Sequence, residues 1–90
     1  MTAERVAMIR ACLEQELQPV ALEITDESAK HAGHAGAASG GGHFIVNITS
    51  AAFRDKTPIQ RHRQVYAALG DIMHSEIHAL SINARTPEET

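Results

Sequence analysis

The sequence predicts an α+β domain in which helices cover one face of a three-stranded mixed sheet. Two segments carry apolar residues at helical spacing, residues 3–17 and residues 58–73. Three shorter segments alternate apolar and polar residues as strands do, at residues 20–25, 43–49 and 77–84. The first two strands can pair antiparallel, and the helical segment before the third favours a parallel, right-handed return of the chain.

Composition indicates one small domain spanning residues 1–90. Apolar residues make up 43% and aromatic residues only 3%, so the core must be aliphatic. No apolar run approaches the roughly 20 residues that cross a membrane, and from the pattern of the first residues we expect no secretory signal. A single cysteine excludes an internal disulfide, and we expect a cytoplasmic protein with no membrane contact. The net charge of −3 weighs against a dedicated nucleic-acid binder.

The first helix is predicted over residues 3–17, with Thr2 as its cap and Pro19 marking its end. Its apolar stripe consists of Val6, Ile9, Leu13 and Leu17. Cys12 falls to the side of that stripe, on a partly buried shoulder.

The first strand, residues 20–25, should direct Val20, Leu22 and Ile24 inward. Residues 28–42 then form a flexible connection rich in glycine and histidine, longer than a tight hairpin requires. The second strand, residues 43–49, places three apolar side chains on one face: Phe44, Val46 and Ile48. Ser50 can cap a short helical turn that ends at Phe53.

The main helix opens with strong start signals, since Thr57 is a good N-cap, Pro58 occupies the first position and Gln60 completes a capping box. Helical spacing places six apolar residues on one side: Ile59, Val65, Tyr66, Leu69, Ile72 and Met73. His62 lies near the centre of that side, flanked by Arg61 and Arg63.

The third strand should present His78, Leu80 and Ile82 on one face, and residues 86–90 form a polar tail. If this strand runs parallel to the second, the two strands begin at the same edge of the sheet. His78 should therefore lie near the connection that carries His31 and His34. The ordinary alternatives are a hydrogen-bonded histidine at a strand end and solvated histidines in a loop.

In its motifs the chain resembles the BolA-like family. The similarity extends over Asp26-Glu27-Ser28, His31-Ala32-Gly33-His34, Gly42-His43-Phe44, Phe53, Arg61-His62-Arg63 with Val65-Tyr66, and Ile77-His78-Ala79-Leu80. The resemblance implies an αββααβ arrangement like that of type II KH domains. One departure is Arg54-Asp55, where the family often has a glycine after Phe53.

The resemblance also implies a monothiol glutaredoxin partner and a [2Fe-2S] cluster shared with glutaredoxin and glutathione. It assigns one cluster ligand to His78, and alignment with Asp26-Glu27-Ser28 assigns the other to His31, with His34 as the alternative. Cys12 alone cannot hold a cluster, because such clusters need about four ligands that are usually thiolates.

We therefore expect a non-enzymatic adaptor in iron–sulfur cluster transfer or iron-linked regulation, a monomer or weak homodimer when alone. No nucleophile motif and no phosphate-binding glycine loop suggests an enzyme. The alternative is a DNA-binding transcriptional regulator in which Arg61 and Arg63 contact the partner. A third possibility is a structural or interaction module whose histidines bind no metal. In that case His62 has a structural role and the arginine side chains extend around the rim of the core.

Overall fold

The structure, a computed structural model, describes residues 2–27, 42–75 and 77–89, and the side chains of residues 2, 3 and 78 lie outside that description. The helices are α1 (Thr2–Leu17), α2 (Pro58–Leu69) and α3 (Ile72–Ser75). The strands are β1 (Ala21–Asp26), β2 (Gly42–Thr49) and β3 (Ile77–Arg85). Two 3-10 turns, Ala51–Phe53 and Pro87–Glu89, complete the described elements.

The sheet has the predicted topology, with β2 in the centre. β1 pairs antiparallel with β2, so that Ile24 lies opposite Val46. β3 pairs parallel with β2, so that Leu80 lies opposite Phe44. The predicted α+β architecture with a mixed three-stranded sheet is therefore confirmed.

The core lies between one face of the sheet and the two long helices. Alternate residues of β2 supply its centre, because Phe44, Val46 and Ile48 are buried. Helices, a turn and the start of β3 supply the other buried apolar side chains: Ile9, Leu13, Leu17, Phe53, Val65, Leu69 and Ile77. The predicted apolar stripe of α1 is confirmed, and Cys12 lies half-buried at its side.

The predicted inward position of Val20 is wrong, since this side chain is 71% exposed. Strand β1 begins only at Ala21, and Val20 contributes its backbone N–H to the Thr49 carbonyl oxygen at 2.9 Å. Leu22 and Ile24 pack against the core but are only half-buried, because β1 is the outer strand on that side of the sheet.

The predicted apolar side of the main helix is wrong in part, because Ile59 is 65% exposed and Tyr66 is also exposed. The spacing predicts one helical segment over residues 58–73, whereas α2 ends at Leu69 and Gly70 follows it with φ of +57°. Glycine adopts such a backbone without the strain that other residues incur. The inward face of α2 instead follows Val65 and Leu69.

The caps predicted at Thr57 and Ser50 are confirmed, whereas the cap predicted at Thr2 stays a prediction, because that side chain lies outside the described residues. The Gln60 backbone N–H donates to Thr57 Oγ1 at 3.2 Å, and the Thr57 backbone N–H donates to Gln60 Oε1 at 2.9 Å. Ser50 accepts from the Ala52 backbone N–H at the start of the first 3-10 turn. In the turn that follows, Asp55 has φ of +62°, so it occupies the left-handed region that aspartate tolerates better than most residues.

Candidate functional site

The starts of β2 and β3 form one edge of the sheet, which we name the strand-start edge and define by Gly42 and Ile77. These two residues lie directly opposite each other in the parallel register. The next residue of β3 is His78, so its backbone lies at this edge. The predicted convergence of the two strand starts is confirmed.

The register breaks at His78. Gly42 lies opposite Ile77, whereas His43 lies opposite Ala79, so His78 is the extra residue of a bulge. Ile77 is buried although strict alternation from Leu80 would place it on the other face, because the extra residue shifts the alternation. Bulges redirect side chains and are frequent beside functional sites. Sequence alternation, which grouped His78 with Leu80 and Ile82, did not reveal this break.

The glycine- and histidine-rich connection leaves from and returns to the strand-start edge. Its first described flank is Glu27, whose backbone N–H donates to the His43 carbonyl oxygen at 2.8 Å. Its second flank is Gly42. The prediction that Gly42 belongs to the connection is wrong, because this residue is the first of β2. His31 and His34 lie outside the described residues, so their ligand assignments stay predictions.

His43 is a further half-buried imidazole at the strand-start edge, which the sequence analysis places at the start of a strand and in the Gly42-His43-Phe44 motif but not among the candidate ligands. Asp26 and Glu27 are half-buried at the same edge. Within residues 2–27, 42–75 and 77–89, no three histidine, cysteine, aspartate or glutamate side chains are grouped to hold a metal ion. Cys12 packs beside the core on α1. Among the described residues of the strand-start edge, the side chains with donor types that metals bind are the imidazole of His43 and the carboxylates of Asp26 and Glu27.

Four hydrogen bonds hold the Arg61 side chain against the surface of the molecule, and only 13% of it is exposed. Nη1 and Nη2 donate to the two carboxylate oxygens of Glu89 at 2.7 and 3.1 Å. Nε donates to the Lys56 carbonyl oxygen at 3.0 Å, and Nη1 also reaches the Ala84 carbonyl oxygen at 3.2 Å. This guanidinium lowers the pKa of Glu89 from 4.5 to about 2. Its predicted partner-binding role stays a prediction.

Arg63 differs from Arg61, because it lies exposed on the outer side of α2. It lines a shallow groove of about 350 Å³ together with Lys56, Gln60, Gln64 and Ala67. His62, between the two arginines, is half-buried. Of the two predicted contact residues, Arg63 is the more accessible.

Residues 86–89 of the predicted polar tail contain the turn Pro87–Glu89, which contacts α2 through Glu89 and Arg61. Thr86 is buried, and its backbone N–H donates to Glu89 Oε1 at 2.8 Å. Glu88 accepts from Arg54 through both of its carboxylate oxygens, with Nε to Oε1 at 2.9 Å. Sequence spacing could not reveal these contacts, which join residues 28 and 34 positions apart.

In the described part of the chain, no helix has both the length and the apolar character needed to cross a membrane.

A family model described as BolA-like protein matches residues 13–89. The chain is 45% identical to mouse BolA-like protein 1 over 83 residues, which are 92% of this chain and 58% of that protein. It is 37% identical over 86 residues to a DNA-binding transcriptional regulator BolA of Escherichia coli, covering 91% of this chain and 79% of the regulator.

Solved structures agree with these relatives. The BolA domain of SufE1 from Arabidopsis thaliana superimposes with a TM-score of 0.82 at 46% identity, covering 96% of this chain and 95% of that one. The chain spans only 23% of the Arabidopsis SufE-like protein 1, with which it is 48% identical over 86 residues and 90% of its own length. It thus spans less than two thirds of several relatives that it matches. The family match, the identities and the shared fold together show that this chain belongs to the BolA-like family.

Proposed function

We propose that this chain is a non-enzymatic adaptor that binds a monothiol glutaredoxin and co-ligates a bridging [2Fe-2S] cluster. The ligands from this chain are His78 and one histidine of the connection, His31 or His34. The observation that supports the proposal is the bulge at His78, at the edge where both flanks of the connection meet.

The chemistry of the donor set supports a shared cluster. Iron–sulfur clusters need about four ligands, mostly thiolates, and Cys12 sits on α1 with its side chain packed against the core. Glutaredoxin and glutathione would supply the thiolates, and this chain would supply imidazoles. Imidazole in place of thiolate raises the reduction potential of a cluster. In this arrangement β3 holds His78 on a fixed backbone, and the connection brings the second imidazole.

Mixing the protein with a cluster-loaded monothiol glutaredoxin tests the proposal. Binding should change the visible absorption and circular dichroism of the cluster, and His78→Ala should abolish the change. His31→Ala and His34→Ala identify the second ligand, because only one of them should have the same effect. His74→Ala is the matched control, since His74 is an exposed imidazole on α3. If His78→Ala behaves like that control, the ligand assignment is wrong.

A second candidate function is duplex DNA binding, as the name of the Escherichia coli relative states for that protein. The observation that favours it here is the exposure of Arg63 beside Lys56 along the groove on α2. Binding should weaken as salt rises, and Arg63→Gln should weaken it at low salt and reduce the salt slope by about one. Unchanged binding by Arg63→Gln would place the DNA contact elsewhere.

A further inference from the structure

Positive charge concentrates at the start of α2 and in the turn before it. Four cations lie within ten residues there: Arg54, Lys56, Arg61 and Arg63. The whole chain nevertheless has a net charge of −3. This basic segment is therefore a local departure from an acidic molecule.

Two of these cations are occupied by consecutive carboxylates of one turn. Arg54 donates twice to Glu88, and Arg61 donates twice to Glu89. Such two-pronged pairing is the geometry in which arginine also binds phosphate groups. The turn Pro87–Glu89 thus presents two acidic groups to the arginines as a nucleic-acid backbone would.

We propose that Pro87–Glu89, which we name the acidic strap, is an internal competitor that keeps nucleic-acid phosphates from Arg54 and Arg61. In the closed form the strap occupies Arg54 and Arg61, and duplex DNA meets only Lys56 and Arg63. In the open form Arg54 and Arg61 are freed from the strap and can also contact phosphates. This inference rests on the second candidate function, DNA binding, and is independent of the cluster proposal.

The contacts of the strap suit displacement. The pair between Arg54 and Glu88 is exposed on both sides, and such pairs are weak and screened by salt. Arg61 is also held by the carbonyl oxygens of Lys56 and Ala84, so it stays oriented when Glu89 leaves. Because Thr86 is buried, only the residues after it need to move.

Neutralising the strap should therefore increase DNA binding. Glutamine keeps the size of glutamate and an oxygen that can accept from the Thr86 backbone N–H, so Glu88→Gln/Glu89→Gln should fold normally. Freeing two arginines should make the slope of log K against log salt steeper by about 1.8, at 0.9 for each phosphate contact. Affinity for a short duplex of random sequence should rise at least about tenfold at low salt.

The matched control is Glu14→Gln/Glu23→Gln, which changes the net charge equally at exposed positions on α1 and β1. It also breaks an ion pair, because Glu14 lies 3.7 Å from Arg10. Fluorescence anisotropy of a labelled duplex over a salt series compares these variants with the wild type. Circular dichroism and thermal melting verify the fold of each variant.

The proposal predicts that only Glu88→Gln/Glu89→Gln binds DNA more tightly and with a steeper slope of log K against log salt. About half of the added slope should be lost when Arg54→Gln is introduced into that variant. An equal gain in the control variant would assign the effect to net charge and overturn the strap. A gain in binding to poly-glutamate but not to DNA would overturn it in favour of an acidic protein partner. If Arg63→Gln weakens DNA binding but Glu88→Gln/Glu89→Gln leaves it unchanged, the acidic strap is refuted. The DNA-binding function itself would still be supported.

Discussion

At the scale of single residues, the carboxylate of Glu89 is strongly perturbed by its hydrogen-bond partners. Hydrogen bonds from Arg61 and from the Thr86 backbone lower the pKa of Glu89 from 4.5 to about 2. Arg54 likewise lowers the pKa of Glu88, chiefly through its hydrogen bonds. Because the ionised form is favoured in the folded state, these groups stabilise the fold at neutral pH.

The pH dependence of stability follows from that direction of shift. The contribution of Glu89 is complete above pH 4.5 and is lost as the pH falls toward about 2. The denaturation midpoint of the wild type should therefore fall through this window, and that of Glu89→Gln should fall less. Equilibrium unfolding in urea at a series of pH values measures the difference. Parallel curves for the two proteins would show that Glu89 is not paired in the folded state.

Sequence reasoning at this scale succeeded where partners are close in the chain. The capping box of Thr57 and Gln60 is set by residues three positions apart, so the motif alone predicts it. The bulge at His78 was not predictable, because it depends on the register of β3 against β2. The positions of His31 and His34 relative to that bulge stay predictions.

At the scale of elements, α2 shows which face of a helix the sheet selects. The predicted apolar side included Ile59 and Tyr66, yet both are exposed, and Val65 and Leu69 are buried. Spacing alone could not reveal that Gly70 ends the helix and that Ile72 begins another. Ile59 and Tyr66 both lie within α2, so their exposure shows that its inward face is centred on Val65 and Leu69 and not on the side that the spacing predicted.

A pair of matched substitutions on α2 tests this orientation. Leu69 is 2% exposed, so Leu69→Ala should destabilise the fold by about 2–5 kcal/mol through lost burial and a cavity. Ile59 has a side chain of the same size but is 65% exposed, so Ile59→Ala should change the free energy of unfolding by no more than about 0.5 kcal/mol. Urea denaturation gives both values. If the two variants lose similar amounts of unfolding free energy, Ile59 is buried like Leu69 and the apolar side predicted from the spacing is right.

At the scale of the whole molecule, the order of elements predicted the topology correctly. A helical crossover between β2 and β3 implies a parallel pair, and the parallel pair brings Gly42 beside Ile77. The gathering of the strand starts and of both flanks of the connection at one edge could thus be predicted from chain order. The acidic strap could not, because its contacts depend on where β3 ends relative to α2.

The proposed function requires that imidazoles of this chain bind a cluster whose thiolate ligands belong to another molecule. Pulsed electron paramagnetic resonance of the reduced complex with a monothiol glutaredoxin tests it directly, because ring nitrogens bound to iron give characteristic couplings. The wild type should show nitrogen couplings from two histidines, and His78→Ala should lose one of them. A spectrum of His78→Ala that retains both couplings, or a wild-type spectrum with none, would contradict the proposed site.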